Sequence, residues 1–196
     1  MFGKGFACNV TSEPAAEPVS TSEAKTHLRV SGSGDDTYID TLVKAARRQV
    51  ERVTGLSLIT QTRALRLDEF PCSDRIELPY GPLQSVSSVA YLDADGSSQT
   101  WSSANYRADI YSHPPRVALA YGVSWPTTRG VTHSVTVTYV AGYGAAGSAV
   151  PSDIIHAIKL IVGHLYENRE EVSAVDLETL PMGVEALLAP YRVHSL

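Results

Sequence analysis

The sequence predicts an α+β fold: a helical body of two packed long helices plus short terminal helices, with an antiparallel β unit inserted between the long ones. Two long stretches with apolar residues at helical spacing lie far apart in the chain. Everything between them alternates apolar and polar residues in short runs broken by proline and glycine. No helical stretch separates those runs, which excludes the crossovers a parallel sheet needs. The 196 residues are 43% hydrophobic and 19% charged, an ordinary globular composition. A chain of this length buries about 70% of the surface its unfolded form exposes, so it needs no covalent staples.

Taken in order, residues 1–19 lack periodicity and carry Pro14 and Pro18, which reads as an extended N-terminal arm. Ser20-Thr-Ser-Glu23 is a capping-box pattern and opens a short helix over Thr21–Leu28. The flexible Ser31-Gly-Ser-Gly34 closes it. That run lacks the preceding strand and the Lys-Ser/Thr ending of a phosphate-cradling loop. Asp35 and Asp36 start the first long helix, whose Ile39, Leu42, Val43, Ala46, Val50 and Val53 make one apolar stripe. Gly55 supplies its stop. Arg47, Arg48 and Arg52 suit the C-terminal half of the helix dipole and read as a solvated or subunit-facing surface.

From 58 to about 143 the period becomes two. Leu65 with Leu67, Ile76 with Leu78, Val89 with Tyr91, Val117, Leu119 and Tyr121, and Val135, Val137 and Tyr139 each occupy one face of a strand. Asp93-Ala-Asp-Gly96 is a hairpin turn, with Gly96 free to take positive φ. Five to seven strands are expected. Val150-Pro-Ser-Asp then opens the second long helix, where Pro151 costs least. Ile154, Ile158, Ile161 and Leu165 form one stripe, with Ile155, Val162 and Tyr166 beside it, so the helix is expected to be buried on two sides. A short helix around Val184, Leu187 and Leu188 is too short to stand alone and must dock on something. The expected organisation is thus an arm at 1–19, a helical body from 20–57 and 150–192, a β insertion at 58–149, and a tail at 193–196.

The composition argues against several functions. Sixteen Lys plus Arg against twenty-one Asp plus Glu leave a net charge of −5, a poor basis for gripping nucleic acid by its phosphates. Cys8 and Cys72 fall in no metal-binding spacing, which points to a reducing compartment and a protein made in the cytosol. No apolar run approaches signal-peptide or membrane-span length. The six histidines are scattered; His156 and His164 share a helix but stand about 12 Å apart by its rise. Asp35 and Asp36 sit where helix starts want carboxylates, and Asp93 with Asp95 supplies too few ligands for a calcium loop. Neither a GxSxG elbow nor an HExxH helix occurs. No catalytic set, metal or cofactor is expected. Trp101, Tyr106, Tyr111, Tyr121 and Trp125 leave open a β-rich ligand-binding module with an aromatic platform.

Several local strings, in their order and spacing, carry a further reading. They are Ser22-Glu-Ala-Lys-Thr-His-Leu-Arg-Val30, Asp35-Asp36 opening a helix that ends Val53-Thr-Gly55, and Gln61 followed by Leu65-Arg-Leu-Asp68 and Phe70-Pro71. Leu78-Pro, Pro82-Leu-Gln-Ser-Val86, Tyr91-Leu-Asp-Ala-Asp-Gly96 and Val123-Ser-Trp-Pro126 follow. The last are Ala141-Gly-Tyr-Gly144, His164-Leu-Tyr-Glu-Asn-Arg-Glu170 and Gly183-Val-Glu-Ala-Leu-Leu-Ala-Pro-Tyr-Arg192. Together, over roughly 13–192, they resemble the head–tail connector (adaptor) proteins of long-tailed bacteriophages and gene transfer agents.

The resemblance implies a structural protein of the virion neck, located at the head–tail interface of the particle and in the host cytoplasm during assembly. It implies a ring of about twelve copies, closed by contacts between unlike patches, beneath the portal protein. That ring extends the DNA channel and offers a platform to the next neck or tail protein, a stopper or tail terminator. A stopper or tail-completion protein is the alternative within the neck. DNA is expected to pass without specific binding, since residues 167–196 carry six acids against two arginines. By resemblance the C-terminal segment meets the portal, through Leu187, Leu188, Tyr191 and Arg192. Arg47, Arg48, Arg52, Tyr166 and Arg169 are the candidate subunit-interface residues. The long second helix is expected to be buried in its own subunit, and the two terminal segments to find partners on other chains.

Overall fold

A computed structural model describes residues 6–168 and 182–193. The chain divides into two compact units. One comprises 16–59 and 143–192; the other comprises 60–142 with the residues up to 15 and those from 193.

The helical unit is built from α1 (Thr21–Leu28), α2 (Asp36–Thr54), α3 (Ser152–Glu167) and α4 (Met182–Leu188). At the start of α1 the Glu23 amide donates to Ser20 Oγ at 3.2 Å and the Ser20 amide donates to Glu23 Oε2 at 2.9 Å. The two bonds satisfy orphan donors reciprocally. Gly55 caps α2 at φ 71°, its amide donating to the Glu51 carbonyl. Of the expected stripe of α2, Ile39, Leu42, Val43, Ala46 and Val50 are buried and Val53 is half-buried. On α3 the buried residues are Ile154, Ala157, Ile158, Ile161 and Val162, in one cluster with the α2 stripe. Ile155, Leu165 and Tyr166 are half-buried and pack on the rim of that cluster. The second stripe of α3 is therefore a flank of the same core.

The β unit holds eight strands among the described residues, in two antiparallel sheets. They are β1 (Phe6–Ser12), β2 (Gln61–Leu67), β3 (Arg75–Glu77), β4 (Leu83–Leu92), β5 (Ser98–Trp101), β6 (Tyr106–Asp109), β7 (Arg116–Leu119) and β8 (Val135–Ala141). The five-stranded sheet has the order β1-β2-β8-β4-β5, the smaller one β3-β7-β6. One core serves both, with Leu65, Val89, Val135, Val137 and Tyr139 from the larger sheet and Ile76 and Val117 from the smaller. These are the inward positions the alternation predicts. In the β4–β5 turn, Asp93 Oδ1 accepts from the amides of Asp95 and Ser97 at 3.1 and 2.8 Å, and Gly96 has φ 86°.

Two expectations about the termini are corrected. Residues 6–12 are not a free arm. They form β1, which pairs with β2 from Phe6↔Leu67 to Ser12↔Thr62. The physical reason is the open edge that β2 offers, which an adjacent uncharged extended stretch satisfies at little cost. Nor is α4 undocked. Val184 and Leu188 are fully buried in the core made by α2 and α3. A seven-residue helix gains most of its stability from such packing.

Candidate interaction surfaces

The residues proposed for subunit contacts separate into different roles. Arg47 is 3% exposed, with Nε donating to Glu17 Oε2 at 2.7 Å and Nη1 to Glu51 Oε2 at 3.0 Å. Glu51 Oε1 in turn accepts the Leu58 amide at 2.9 Å. One guanidinium thus ties the segment before α1, the body of α2 and the loop after it. A planar five-donor fork suits such a task. Arg47 is therefore an internal strut, which corrects its assignment as an interface residue. Burial of a cation demands paired carboxylates, and both are present. Arg48 and Arg52 lie on the exposed face of α2.

Tyr166 turns its polar end inward: its hydroxyl donates to Asp35 Oδ2 and its ring lies 6.1 Å from that of Tyr38. It staples the end of α3 to the start of α2 while remaining half-buried. Arg169 lies outside the described residues.

The C-terminal segment faces outward with other side chains than the sequence suggests. Leu188 is buried and Leu187 half-buried. Tyr191 is half-buried, and its hydroxyl donates to Asp153 Oδ2 at 3.2 Å. Desolvation and the Asp153 carboxylate push its phenol above the ordinary value. Arg192 Nη2 pairs with Glu185 Oε1 at 3.0 Å. The exposed positions of the segment include Glu185, Ala186, Ala189 and Pro190. The apolar stripe of Leu187 and Leu188 shows that the helix is covered, not by what.

In the β unit the aromatic residues face one another. Phe70 stacks on Trp125 with centroids 4.9 Å apart and planes at 9°, and Trp101 lies 5.0 Å from Trp125 and 5.7 Å from Tyr106. Trp125 Nε1 donates to the Ser73 carbonyl at 2.7 Å. This cluster closes one side of the core and presents no open platform, which weighs against the ligand-module reading. Tyr111 and Tyr121 are exposed, but they follow opposite ends of the β6–β7 pair, where Asp109 faces Arg116 and Tyr106 faces Leu119. Asp109 caps the β6–β7 connection. Its carboxylate accepts from the Ser112 hydroxyl, the amides of Ser112 and Tyr111, and Arg116 Nε. The Ser112 hydroxyl leads the effects that hold its pKa at about 2. Missed by sequence reasoning is Arg63, buried on β2 with its guanidinium 3.9 Å from the centre of the Tyr80 ring.

None of this converges on chemistry. Among the described residues no three His, Cys, Asp or Glu side chains gather to hold a metal ion. No described helix is long and apolar enough to cross a membrane. A shallow hollow of about 730 Å³ runs past Glu17, Pro18, Glu23, Val150, His156 and Lys159. Lys159 and Glu23 face each other across it at 3.8 Å.

Comparison with known proteins supplies what the geometry lacks. The sequence profile of the family described as Phage gp6-like head-tail connector protein matches residues 19–112. No curated protein matches the chain by sequence. Among solved structures, a chain from the neck of an empty gene transfer agent particle, computed with C6 symmetry, superposes with a TM-score of 0.82. It is 25% identical and the match covers 97% of both chains. A chain from the virion of a native gene transfer agent particle gives a TM-score of 0.80 at 25% identity over 96% of both. One from the neck of the native particle, computed with C12 symmetry, gives 0.78 at 25% identity over 97% of both. The family matched over residues 19–112 is one of structural connectors rather than an enzyme class, and over its whole length the chain is similar in fold to chains from gene transfer agent particles and their necks.

Proposed function

We propose that the protein is a ring-forming component of a particle neck, bound beneath the portal, where it extends the DNA channel and offers a docking platform to the next neck or tail protein. The observation that carries this is the fold shared over 97% of both chains with a gene transfer agent neck protein. The C6 and C12 symmetries of those necks favour a cyclic array. A cyclic array needs two unlike patches per subunit. The exposed Arg48 and Arg52 on α2 are candidates for one of them. For the portal we retain the C-terminal segment, with the contact moved to its exposed side: Glu185, Ala186, Ala189 and Pro190, flanked by the half-buried Leu187, Tyr191 and Arg192.

The net charge of −5 supports a passive conduit, since a wall that repels phosphates lets duplex slide rather than stick. The test is mass measurement of the purified chain with and without portal rings. Stoichiometric binding to portal rings is expected. Failure to bind portal, with binding to a preassembled neck instead, would make the protein a stopper or tail-completion component. In a gel-shift titration no duplex binding is expected at physiological salt. Salt-sensitive micromolar binding would make Arg48 and Arg52 a phosphate patch and end the passive-conduit reading.

A further inference from the structure

The two sheets of the β unit treat their edges differently. The smaller sheet ends in β3 and β6, strands of three and four residues that carry Arg75 with Glu77 and Arg107 with Asp109. Short length and charge are the usual means of keeping an edge from pairing with another chain. The larger sheet ends in β1 and β5, Phe-Ala-Cys-Asn-Val-Thr-Ser and Ser-Gln-Thr-Trp. Neither contains a charged residue or a proline. Among the described residues no strand pairs with the outer side of either. The register of β1 is regular from Phe6 to Val10 and breaks only between Val10 and Ser12. Ala7 to Val10 is thus a regular, uncharged four-residue run, the same length as β5.

We propose that these two edges join neighbouring copies of this chain, β5 of one copy pairing with β1 of the next. The inference rests on the ring proposed above. Five strands in strict antiparallel succession make the first and last run in the same direction. In a cyclic ring every copy is related to the next by rotation, so strands running along the axis keep their direction from copy to copy. The β5–β1 join is therefore parallel. An isologous β1–β1 pair, by contrast, would be antiparallel and would leave β5 untouched. A second copy is favoured over a foreign strand because the sheet has two open edges. One repeating join uses both, and ring closure leaves none exposed. Four residues of parallel pairing span only about 13 Å, and parallel ladders are the weaker kind. Such a join does not hold two free subunits together, and forms when the portal has already set them side by side.

The experiment is hydrogen exchange on the full chain, free and assembled on portal rings. The outward-pointing amides of 7–10 and of 98–101 should both slow on assembly. Protection of only one of the two segments, or of neither, in a ring that has formed overturns the edge join and leaves the connector reading standing. If the wild-type chain forms no ring on portal, both readings fall. Asn9→Lys, at an exposed position on β1, puts a charge on the joining edge. It should raise the protein concentration needed to fill the ring by about tenfold with unchanged melting of the free chain. An unchanged filling concentration counts against the proposal. If this variant fails to fold, the wild-type exchange pattern still decides.

Discussion

The helical and β units solve the same problem, a polar group inside a core, in different ways. The helical unit buries a charge. Arg47 sits between Glu17 and Glu51, and Glu51 also holds the Leu58 amide. The β unit holds a buried cation as well, Arg63 over the Tyr80 ring, but its fully buried polar side chain is a neutral hydroxyl: Tyr139, on β8, donates to the Pro79 carbonyl and lies 3.3 Å from Cys8 Sγ. Burial keeps that phenol neutral by pushing its pKa far up. A buried charge is tolerable only as a complete set, whereas a buried hydroxyl loses one bond at a time. The helical unit should therefore be the brittle half under single substitutions.

Arg47→Ala sets the largest effect. It leaves two carboxylates facing a hole and should cost about 3–5 kcal/mol, read as the shift of a urea unfolding curve. A loss below 1 kcal/mol would mean the triad is a surface pair, and the contrast between the units would disappear. Next come the apolar cores. Leu188→Ala and Ile158→Ala should each cost about 2–5 kcal/mol, as buried large-to-small changes do. The same burial means that deleting residues 181–196 should lower the melting temperature. Unchanged melting would show that α4 is packed on a partner rather than on its own unit.

Tyr139→Phe probes the neutral solution. It removes one hydroxyl and leaves the Pro79 carbonyl short of a donor, an expected loss of about 1–2 kcal/mol by the same unfolding assay. A loss as large as that of Arg47→Ala would erase the difference between the units. The smallest effect is Asp109. Its folded pKa, about 2, lies below the ordinary 3.8. Its contribution is therefore present above about pH 4 and lost as pH falls through about 2. The gap in melting temperature between wild type and Asp109→Asn should close over that window. A gap independent of pH would show that the carboxylate's charge is not what holds the hairpin connection.

Local signals were legible and distant partners were not. The stripe of α2, the Ser20–Glu23 box and the Gly55 stop depend on residues within one or two turns, so spacing alone finds them. The burial of Arg47 depends on Glu17, thirty positions upstream, although the Arg47–Glu51 spacing of four was a visible hint. The strand β1 had its own faint signal, Phe6, Cys8 and Val10 at alternate positions, but its partner β2 begins some fifty residues later. α4 is a related case, since Leu188 of its apolar stripe is covered within the helical unit itself. An apolar stripe says that something covers a helix, and only tertiary structure says what.

The helical unit is assembled from two lengths of chain that leave and return side by side, with Ile59 bridged to Gly144 and the Tyr143 amide donating to the Leu58 carbonyl. That arrangement has a cost in time. Residues 55–151 must leave the ribosome between the end of α2 and the start of α3. At about 5–20 residues per second, the stripe of Ile39, Leu42, Val43, Ala46 and Val50 waits roughly 5–20 s for its cover. Helix formation itself takes microseconds. During synthesis the apolar stripe of α2 is thus without its cover, and for that interval it can meet another unfinished chain instead.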